Sequence, residues 1–101
     1  MNRIWKVMQT LIEYYGFERD DSENKGNGVC VDTYVFENDF NDRQVIIRAE
    51  YDSKDMKIDE VWCEVINLET EETILDDYLD EYEIRNLSDY LDNLSKEYGI
   101  N

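Results

Sequence analysis

Three consecutive segments alternate apolar and polar residues with a period of two, and this pattern constrains the fold more than any other feature of the chain. The segments are Val29 to Asn38, Arg43 to Asp52 and Lys57 to Leu68. β-Branched and aromatic residues on this period are typical of strands with one buried face. The connections 39–42 and 53–56 have the length of hairpin loops. The sequence therefore predicts an antiparallel meander of three strands, with one face packed against helices.

The segment that precedes these strands, Arg3 to Tyr15, has the pattern of an amphipathic helix. Its apolar residues recur at intervals of three and four positions. The predicted core-facing residues are Ile4, Val7, Met8, Leu11 and Tyr15, with Trp5 and Ile12 on the flank. Asn2 stands where it can cap the start of the helix, and Gly16 where it can end it. Phe17 is then expected to pack back on the last turn.

The next segment, Glu18 to Gly28, is polar throughout and is expected to form a loop. Its Asn27-Gly28 pair is a turn signal. The acids of this segment raise the question of a calcium-binding loop. With Gly26 at the sixth position of an EF-hand loop, the fifth position falls on Lys25, where a cation replaces the required ligand. The spacing therefore excludes an EF-hand calcium site.

The segment Glu69 to Glu83, which we call the acidic segment, contains no Lys or Arg. Its eight carboxylates belong to Glu69, Glu71, Glu72, Asp76, Asp77, Asp80, Glu81 and Glu83. Its apolar residues fit the stripe of a helix with Thr70 at the cap position, and they are Ile74, Leu75, Tyr78, Leu79 and Tyr82. The favoured interpretation is a helix. The alternative is a hairpin, in which Thr73 to Asp76 form a fourth strand.

The C-terminal part of the chain, Glu83 to Tyr98, has the clearest helical pattern, and Gly99 stands where it can end the helix. Its apolar stripe is Ile84, Leu87, Leu91, Leu94 and Tyr98. The length of 101 residues allows one domain with one modest core. The predicted fold class is thus α+β. It consists of an N-terminal helix, a three- or four-stranded antiparallel meander, and one or two C-terminal helices.

Enzymatic chemistry is not indicated. The chain contains no His, which is the commonest general base and metal ligand. The four glycines are not spaced as in either of the phosphate-binding motifs GxGxxG and GxxxxGK[ST]. Among 26 acidic residues, suitable-looking carboxylate pairs arise by chance, so they indicate nothing specific. We therefore predict no catalytic residue, no cofactor and no metal site.

The two cysteines, Cys30 and Cys63, lie in the strand segments without a metal-binding spacing, and we expect both to be reduced. The N-terminus lacks the features of a signal peptide, and no apolar run reaches the length of a membrane span. The sequence therefore predicts a soluble intracellular protein.

The net charge of −16, from 26 acids and 10 bases, indicates what kind of partner the protein has. A folded surface of this charge repels nucleic acid and anionic membranes and attracts basic protein surfaces. If the acidic segment is helical, Glu72/Asp76/Asp80 and Asp77/Glu81 form two rows of carboxylates. Neighbours within a row then lie about 5–6 Å apart at the Cβ level, which is of the same order as the charge spacing of DNA. The predicted partner-binding residues are the eight carboxylates of the acidic segment together with Asp89, Asp92, Tyr78 and Tyr82.

The order of elements and the charge resemble those of the small acidic anti-CRISPR and DNA-mimic proteins of phages and mobile elements. The resemblance lies in a helix (Arg3–Tyr15), a meander (Val29–Leu68), the acidic segment and a final helix (Ile84–Tyr98). It concerns topology and charge, so it transfers no functional residue. It implies an inhibitor that occupies the nucleic-acid channel of a CRISPR effector or another defence nuclease, in the cytoplasm of a bacterial host cell. The alternative is an immunity protein, an antitoxin or another interaction module with a basic partner.

Overall fold

The computed structural model describes residues 4–38 and 42–98 and has an α+β fold. Five strands form one antiparallel sheet in the order β1-β2-β3-β4-β5, so neighbours in sequence are neighbours in space. In chain order the elements are α1 (Trp5–Tyr14), β1 (Glu18–Gly26), β2 (Val29–Asn38), β3 (Arg43–Asp52), β4 (Ile58–Asn67), β5 (Thr73–Tyr78), α2 (Glu81–Arg85) and α3 (Leu87–Tyr98).

The three predicted strands are confirmed. Strands β2 and β3 have the predicted bounds, and β4 is one residue shorter at each end than the segment 57–68. The predicted total of three or four strands is too low, because β1 and β5 extend the meander at both edges.

The prediction of a loop from Glu18 to Gly28 was wrong, because Glu18–Gly26 form strand β1. It pairs with β2 from Glu18, opposite Val35, to Gly26, opposite Val29, and all of its residues are exposed. An edge strand with no buried side chain has no apolar alternation from which it could be recognised. The predicted turn is confirmed, since Asn27 and Gly28 connect β1 to β2 with φ values of 56° and 82°. Positive φ at both residues suits a two-residue hairpin.

The core lies between the sheet and the helices, on one face of the sheet. Alternate residues of β3 and β4 point into it, as the period-two pattern predicts. Its fully or nearly fully buried members include Val45, Ile47 and Ala49 of β3, Val61, Cys63 and Val65 of β4, and Leu87, Leu91 and Leu94 of α3.

Helix α1 is rotated relative to the prediction. Trp5 and Ile12, placed on the flank, are completely buried, whereas Ile4 and Val7 are 53% and 58% exposed. The helix has two adjacent apolar faces, so its sequence pattern alone did not decide between them. The hydrogen bond from Trp5 Nε1 to the buried carboxylate of Asp32 favours the observed rotation.

The C-terminal end of α1 agrees with the prediction, whereas the start does not, because the helix begins at Trp5 rather than at Arg3. Gly16 has a φ of +93° just after the helix, and Phe17 is buried behind it. The residue before the helix is Ile4, which provides no side-chain cap. The predicted caps Asn2 and Gly99 lie outside the described residues.

The predicted C-terminal helix is interrupted, which gives two helices. Asn86, between α2 and α3, has φ −112° and ψ 45°, and its side-chain Nδ2 donates to the carbonyl oxygen of Tyr82 at 2.9 Å. This local hydrogen bond competes with the continuation of the helix.

The carboxylate of Asp32 is fully buried on β2 and connects four parts of the fold. Its Oδ2 accepts hydrogen bonds from Trp5 Nε1 at 2.8 Å and Gln9 Nε2 at 3.1 Å. Its Oδ1 accepts from Ser22 Oγ at 2.6 Å and the Tyr51 hydroxyl at 3.2 Å. Helix α1 and strands β1 and β3 are thereby tied to β2 through one side chain.

The two cysteines are free thiols on different strands, Cys30 on β2 and Cys63 on β4. Strand β3 lies between them, which separates their backbones by at least about 9–10 Å, and they are also offset along the strands because Cys30 lies opposite Tyr51 and Cys63 opposite Ile47. This exceeds the span of a disulfide, so the two cannot be bridged without backbone movement.

Candidate partner-binding surface

The acidic segment is not a single helix, so the favoured prediction was wrong and the hairpin alternative is confirmed. Residues 68–72 form a loop, the next six residues form β5, and the segment ends in α2. The additional strand continues to Tyr78, two residues beyond the alternative's limit. The two helical carboxylate rows of the prediction therefore do not exist.

Local hydrogen bonds explain why the segment turns back. The side-chain Oδ1 of Asn67 accepts from the backbone N–H groups of Glu69 at 2.9 Å and Thr70 at 3.2 Å. Asn side chains readily stabilise such a turn. The turn lies where the predicted helix would have begun, with Thr70 as its cap. The loop closes through Glu71, whose φ is +63° and whose N–H donates to the carbonyl oxygen of Asn67 at 2.7 Å.

Strand β5 lies at the edge of the sheet and pairs with β4. Successive side chains of a strand point to opposite faces. Asp76 therefore lies beside Glu64 on the face away from the helices, whereas Asp77 lies beside Cys63 on the helix side. A helix would have separated these two aspartates differently and placed neither beside β4.

The start of α2 is a capping box formed by two predicted partner-binding residues. The Asp80 side chain accepts from the N–H of Glu83 at 2.8 Å, and the Glu83 side chain accepts from the N–H of Asp80 at 2.9 Å. Both carboxylates thus stabilise the fold. The sequence contains this signal, an Asp followed three residues later by Glu, and the signal predicts a helix start at residue 81.

The predicted site residues fall into separate groups. Glu69, Glu71, Glu72, Asp76 and Asp77, which we call the acidic edge, are all exposed along the loop and β5. Asp80, Tyr82, Glu83 and Asp89 line one shallow concavity at the start of α2 and α3. Glu81 is exposed and pairs with Arg85 at 3.1 Å.

Asp92 lies apart from these groups, because its side chain accepts a hydrogen bond from the Tyr15 hydroxyl at the end of α1. That hydrogen bond raises the pKa of Tyr15. Asp92 therefore connects α3 to α1, and the structure gives it a stabilising contact that the sequence pattern did not indicate.

The field of the carboxylates extends into the core beneath β5. Burial is the main reason that the pKa of the Cys63 thiol is raised to about 12. A hydrogen bond with Tyr90 acts against this shift, and the carboxylates of Asp77, Glu64 and Glu83 contribute to it. Burial also raises the pKa of Tyr90, which contacts Cys63. Both groups stay protonated and neutral at neutral pH, so the core adds no charge of its own here.

The neighbours of Tyr78 on β4 were not predicted from the sequence. Trp62 lies directly opposite Tyr78, with ring centroids 5.6 Å apart and planes inclined at 47°. Glu60 and Glu64 flank Trp62 on the same face, two residues before and after it. Recognition of β5 as a strand would have predicted this arrangement, because pairing with β4 places alternate residues side by side.

The surroundings of Trp62 give a testable prediction about the local potential. Trp5 is completely buried, whereas Trp62 is half-buried between Glu60 and Glu64 along β4, with Arg48 opposite it on β3 and bound to Glu64. We expect caesium ions to quench the fluorescence of Trp62 at least about threefold better than iodide, each normalised to free tryptophan amide, because the local potential attracts cations. A Trp62→Phe variant should lose this quenchable fraction. Equal or better quenching by iodide would contradict a negative potential at this site.

No helix in residues 4–38 and 42–98 is long and apolar enough to cross a membrane. The same residues contain no group of three or more Cys, Asp or Glu arranged to hold a metal ion.

Comparison with known proteins provides no relative. The chain matches no protein-family model, no curated protein and no solved structure.

Proposed function

We propose that this protein is a non-enzymatic inhibitor that occupies the cationic nucleic-acid-binding groove of a CRISPR effector or another defence nuclease. The observation that carries the proposal is the acidic edge, whose five carboxylates are all exposed along one loop and one edge strand. The segment that contains it has no basic residue. Such a surface attracts the Lys and Arg side chains that otherwise bind phosphates.

The acidic edge is held in place before any partner arrives. The ladder between β5 and β4 fixes Asp76 and Asp77, and the Asn67 turn fixes the loop that carries Glu69 and Glu71. Carboxylates held on a folded scaffold lose less conformational entropy on binding than those of a disordered acidic tail. Inhibition would be stoichiometric, since the groove is blocked and no bond is formed or broken.

A different explanation of the charge is that acids at sheet edges prevent edge-to-edge aggregation. It accounts for the exposed acids of β1 and for Asp76 and Asp77 of β5, which lie on the two edge strands. It does not account for Glu69, Glu71 and Glu72, which lie in the hairpin loop outside the β4–β5 ladder. These loop acids favour a binding role.

A pair of variants with the same net charge tests the proposal. The first, Glu69→Gln/Glu72→Gln/Asp76→Asn/Asp77→Asn, removes four charges from the acidic edge and leaves the Asp80–Glu83 capping box intact. The control, Glu13→Gln/Glu37→Gln/Asp55→Asn/Glu97→Gln, removes four charges from exposed residues elsewhere. Binding of labelled DNA to a panel of guide-loaded CRISPR effectors and other defence nucleases is then measured by fluorescence anisotropy.

We expect the wild-type protein and the control variant to displace DNA from at least one effector. We expect the acidic-edge variant to need a concentration about 100-fold higher, because several charge-assisted contacts are lost together. If the wild-type protein displaced DNA from no CRISPR effector and no other nuclease of the panel, the proposal would be contradicted. Equal potency of the two variants would show that the acidic edge is not the binding surface.

A further inference from the structure

The face of the sheet opposite the helices, which we call the uncovered face, is not purely polar. Its cross-strand rows are Thr33–Arg48–Trp62–Tyr78 and Val35–Ile46–Glu64–Asp76. Within the described residues, the buried side chains of the helices belong to the core cluster on the other face. Ile46, Val35 and Trp62 lie outside that cluster. An antiparallel sheet with one face in water is normally polar on that face, so these residues need another explanation.

The aromatic part of the uncovered face is its most exposed apolar feature. Tyr78 is 66% exposed, and its ring lies against that of Trp62 at the edge of the sheet. Ile46, although on the same face, is only 8% exposed because its neighbours on the sheet cover it. The Trp62–Tyr78 pair is therefore the part of this face that a partner can reach first.

Carboxylates border this aromatic pair. Glu60 and Glu64 flank Trp62 along β4, and Asp76 lies beside Glu64 on β5. Arg48, the cross-strand neighbour of Trp62, donates from Nη1 to Glu64 Oε1 at 2.8 Å. The protein's own structure thus shows that a carboxylate on this face holds a guanidinium group, in the strand position beside Trp62.

We propose that the uncovered face docks an arginine-bearing extended segment of the cationic partner, with a guanidinium group stacked on the Trp62–Tyr78 pair. This inference rests on the proposed function and names the group that the surface recognises. Charge complementarity favours a basic occupant, and the aromatic rings favour arginine. A planar guanidinium group stacks on an aromatic face and binds a carboxylate through two parallel hydrogen bonds, whereas the ammonium group of lysine does neither as well.

The position of the pair at the sheet edge suits an extended segment. Strand β5 is the last strand of the described sheet, so its outer side presents backbone N–H and C=O groups. An extended peptide can pair with such an edge while its side chains reach both faces. Every second side chain of such a peptide would point to the uncovered face, on which Asp76 and Tyr78 lie.

Octa-arginine and octa-lysine peptides test the inference without the natural partner. The chain has two indole N–H groups, which give two distinct signals in a ¹H–¹⁵N correlation spectrum. We expect octa-arginine to shift the Trp62 signal and to leave that of Trp5, which is fully buried against Asp32, in place. Octa-arginine should also bind about five- to tenfold more tightly than octa-lysine. An unshifted Trp62 signal at saturation would overturn the inference.

Two variants assign the arginine preference to the aromatic pair. Trp62→Leu keeps an apolar side chain at a position outside the core cluster, and the Trp5 signal reports that the fold is retained. We expect this variant to bind octa-arginine no better than octa-lysine. The control is Tyr14→Leu, at a tyrosine that is 78% exposed on α1, and it should keep the preference. An arginine preference that survives Trp62→Leu would contradict the stacking arrangement.

The outcomes separate this inference from the proposed function. If both peptides bind equally and Trp62→Leu has no effect, the stacking role fails, and the competition with DNA still decides the proposed function. If neither peptide binds and DNA is not displaced, the proposed function itself fails.

Discussion

Replacement of Asp32 by alanine is expected to lower the free energy of unfolding by at least about 3 kcal/mol, because each buried donor left unpaired costs about 1–3 kcal/mol. Trp5 Nε1 and the Tyr51 hydroxyl lose their acceptor in the core, and Gln9 and Ser22 lose theirs nearer the surface. Domains of this size have a total stability of only about 5–15 kcal/mol. Urea unfolding followed by Trp fluorescence measures the effect.

The amide variant Asp32→Asn is the sharper test of this network. Its side-chain oxygen can accept from Trp5, which only donates, and its amide can donate to the hydroxyls of Ser22 and Tyr51, which can also accept. We expect a loss of only about 1–2 kcal/mol. The surface control Asp59→Asn should change stability by less than about 0.5 kcal/mol. If Asp32→Ala were as stable as the wild type, the network would not contribute to holding α1 on the sheet.

Alkaline pH is expected to destabilise the fold, because buried groups ionise more readily in the unfolded chain than in the folded protein. Burial raises the pKa of Cys63 from its ordinary value of 9.0 to about 12 and that of Tyr51 from 10.0 to about 12. Both groups therefore stabilise the fold fully below the unfolded-state pKa, and this contribution is lost as the pH rises toward the folded-state pKa. For Cys63 the window is pH 9 to 12, and the loss across it is on the order of 4 kcal/mol.

The variant Cys63→Ala separates the thiol from the tyrosines. It removes the group that titrates first, so the decline in stability should begin about one pH unit later, where Tyr51 starts to ionise in the unfolded chain. Tyr90, whose pKa burial also raises, adds to the later phase. The measurement is the free energy of unfolding in urea at successive pH values under reducing conditions. Parallel declines in the wild type and in Cys63→Ala would contradict the role of the thiol.

The parts of the fold that the sequence predicted correctly are those whose side chains alternate between core and solvent. Strands β2, β3 and β4 bury every second residue in their central part, so their patterns carry the information. Strand β1 buries none and is held by backbone pairing and its hairpin turn, which hydropathy does not register. The rotation of α1 depended on a long-range partner, Asp32, which a local pattern cannot contain.

The acidic segment was misjudged for a related reason. Ile74, Leu75 and Tyr78 are compatible with a helical stripe, yet in the structure only Leu75 of these packs against the core, while Ile74 and Tyr78 are exposed. The Asn67 turn and the Asp80–Glu83 box were readable in the sequence and together predict a turn, a short strand and a new helix. The acidic residues of the surface were predicted from the sequence. The pairing of Tyr78 with Trp62 was not, because it follows only from the register between β5 and β4.

The salt dependence of binding tests the central claim most directly, which is that the acidic edge meets a cationic groove. The dissociation constant of the complex with the most strongly inhibited effector is measured from about 50 to about 500 mM KCl, a range over which screening of surface charges becomes nearly complete. We predict that wild-type affinity falls at least about tenfold, and that the acidic-edge variant shows a much shallower dependence than the control variant of equal net charge. An affinity that does not change with salt, or equal dependences in the two variants, would contradict the claim.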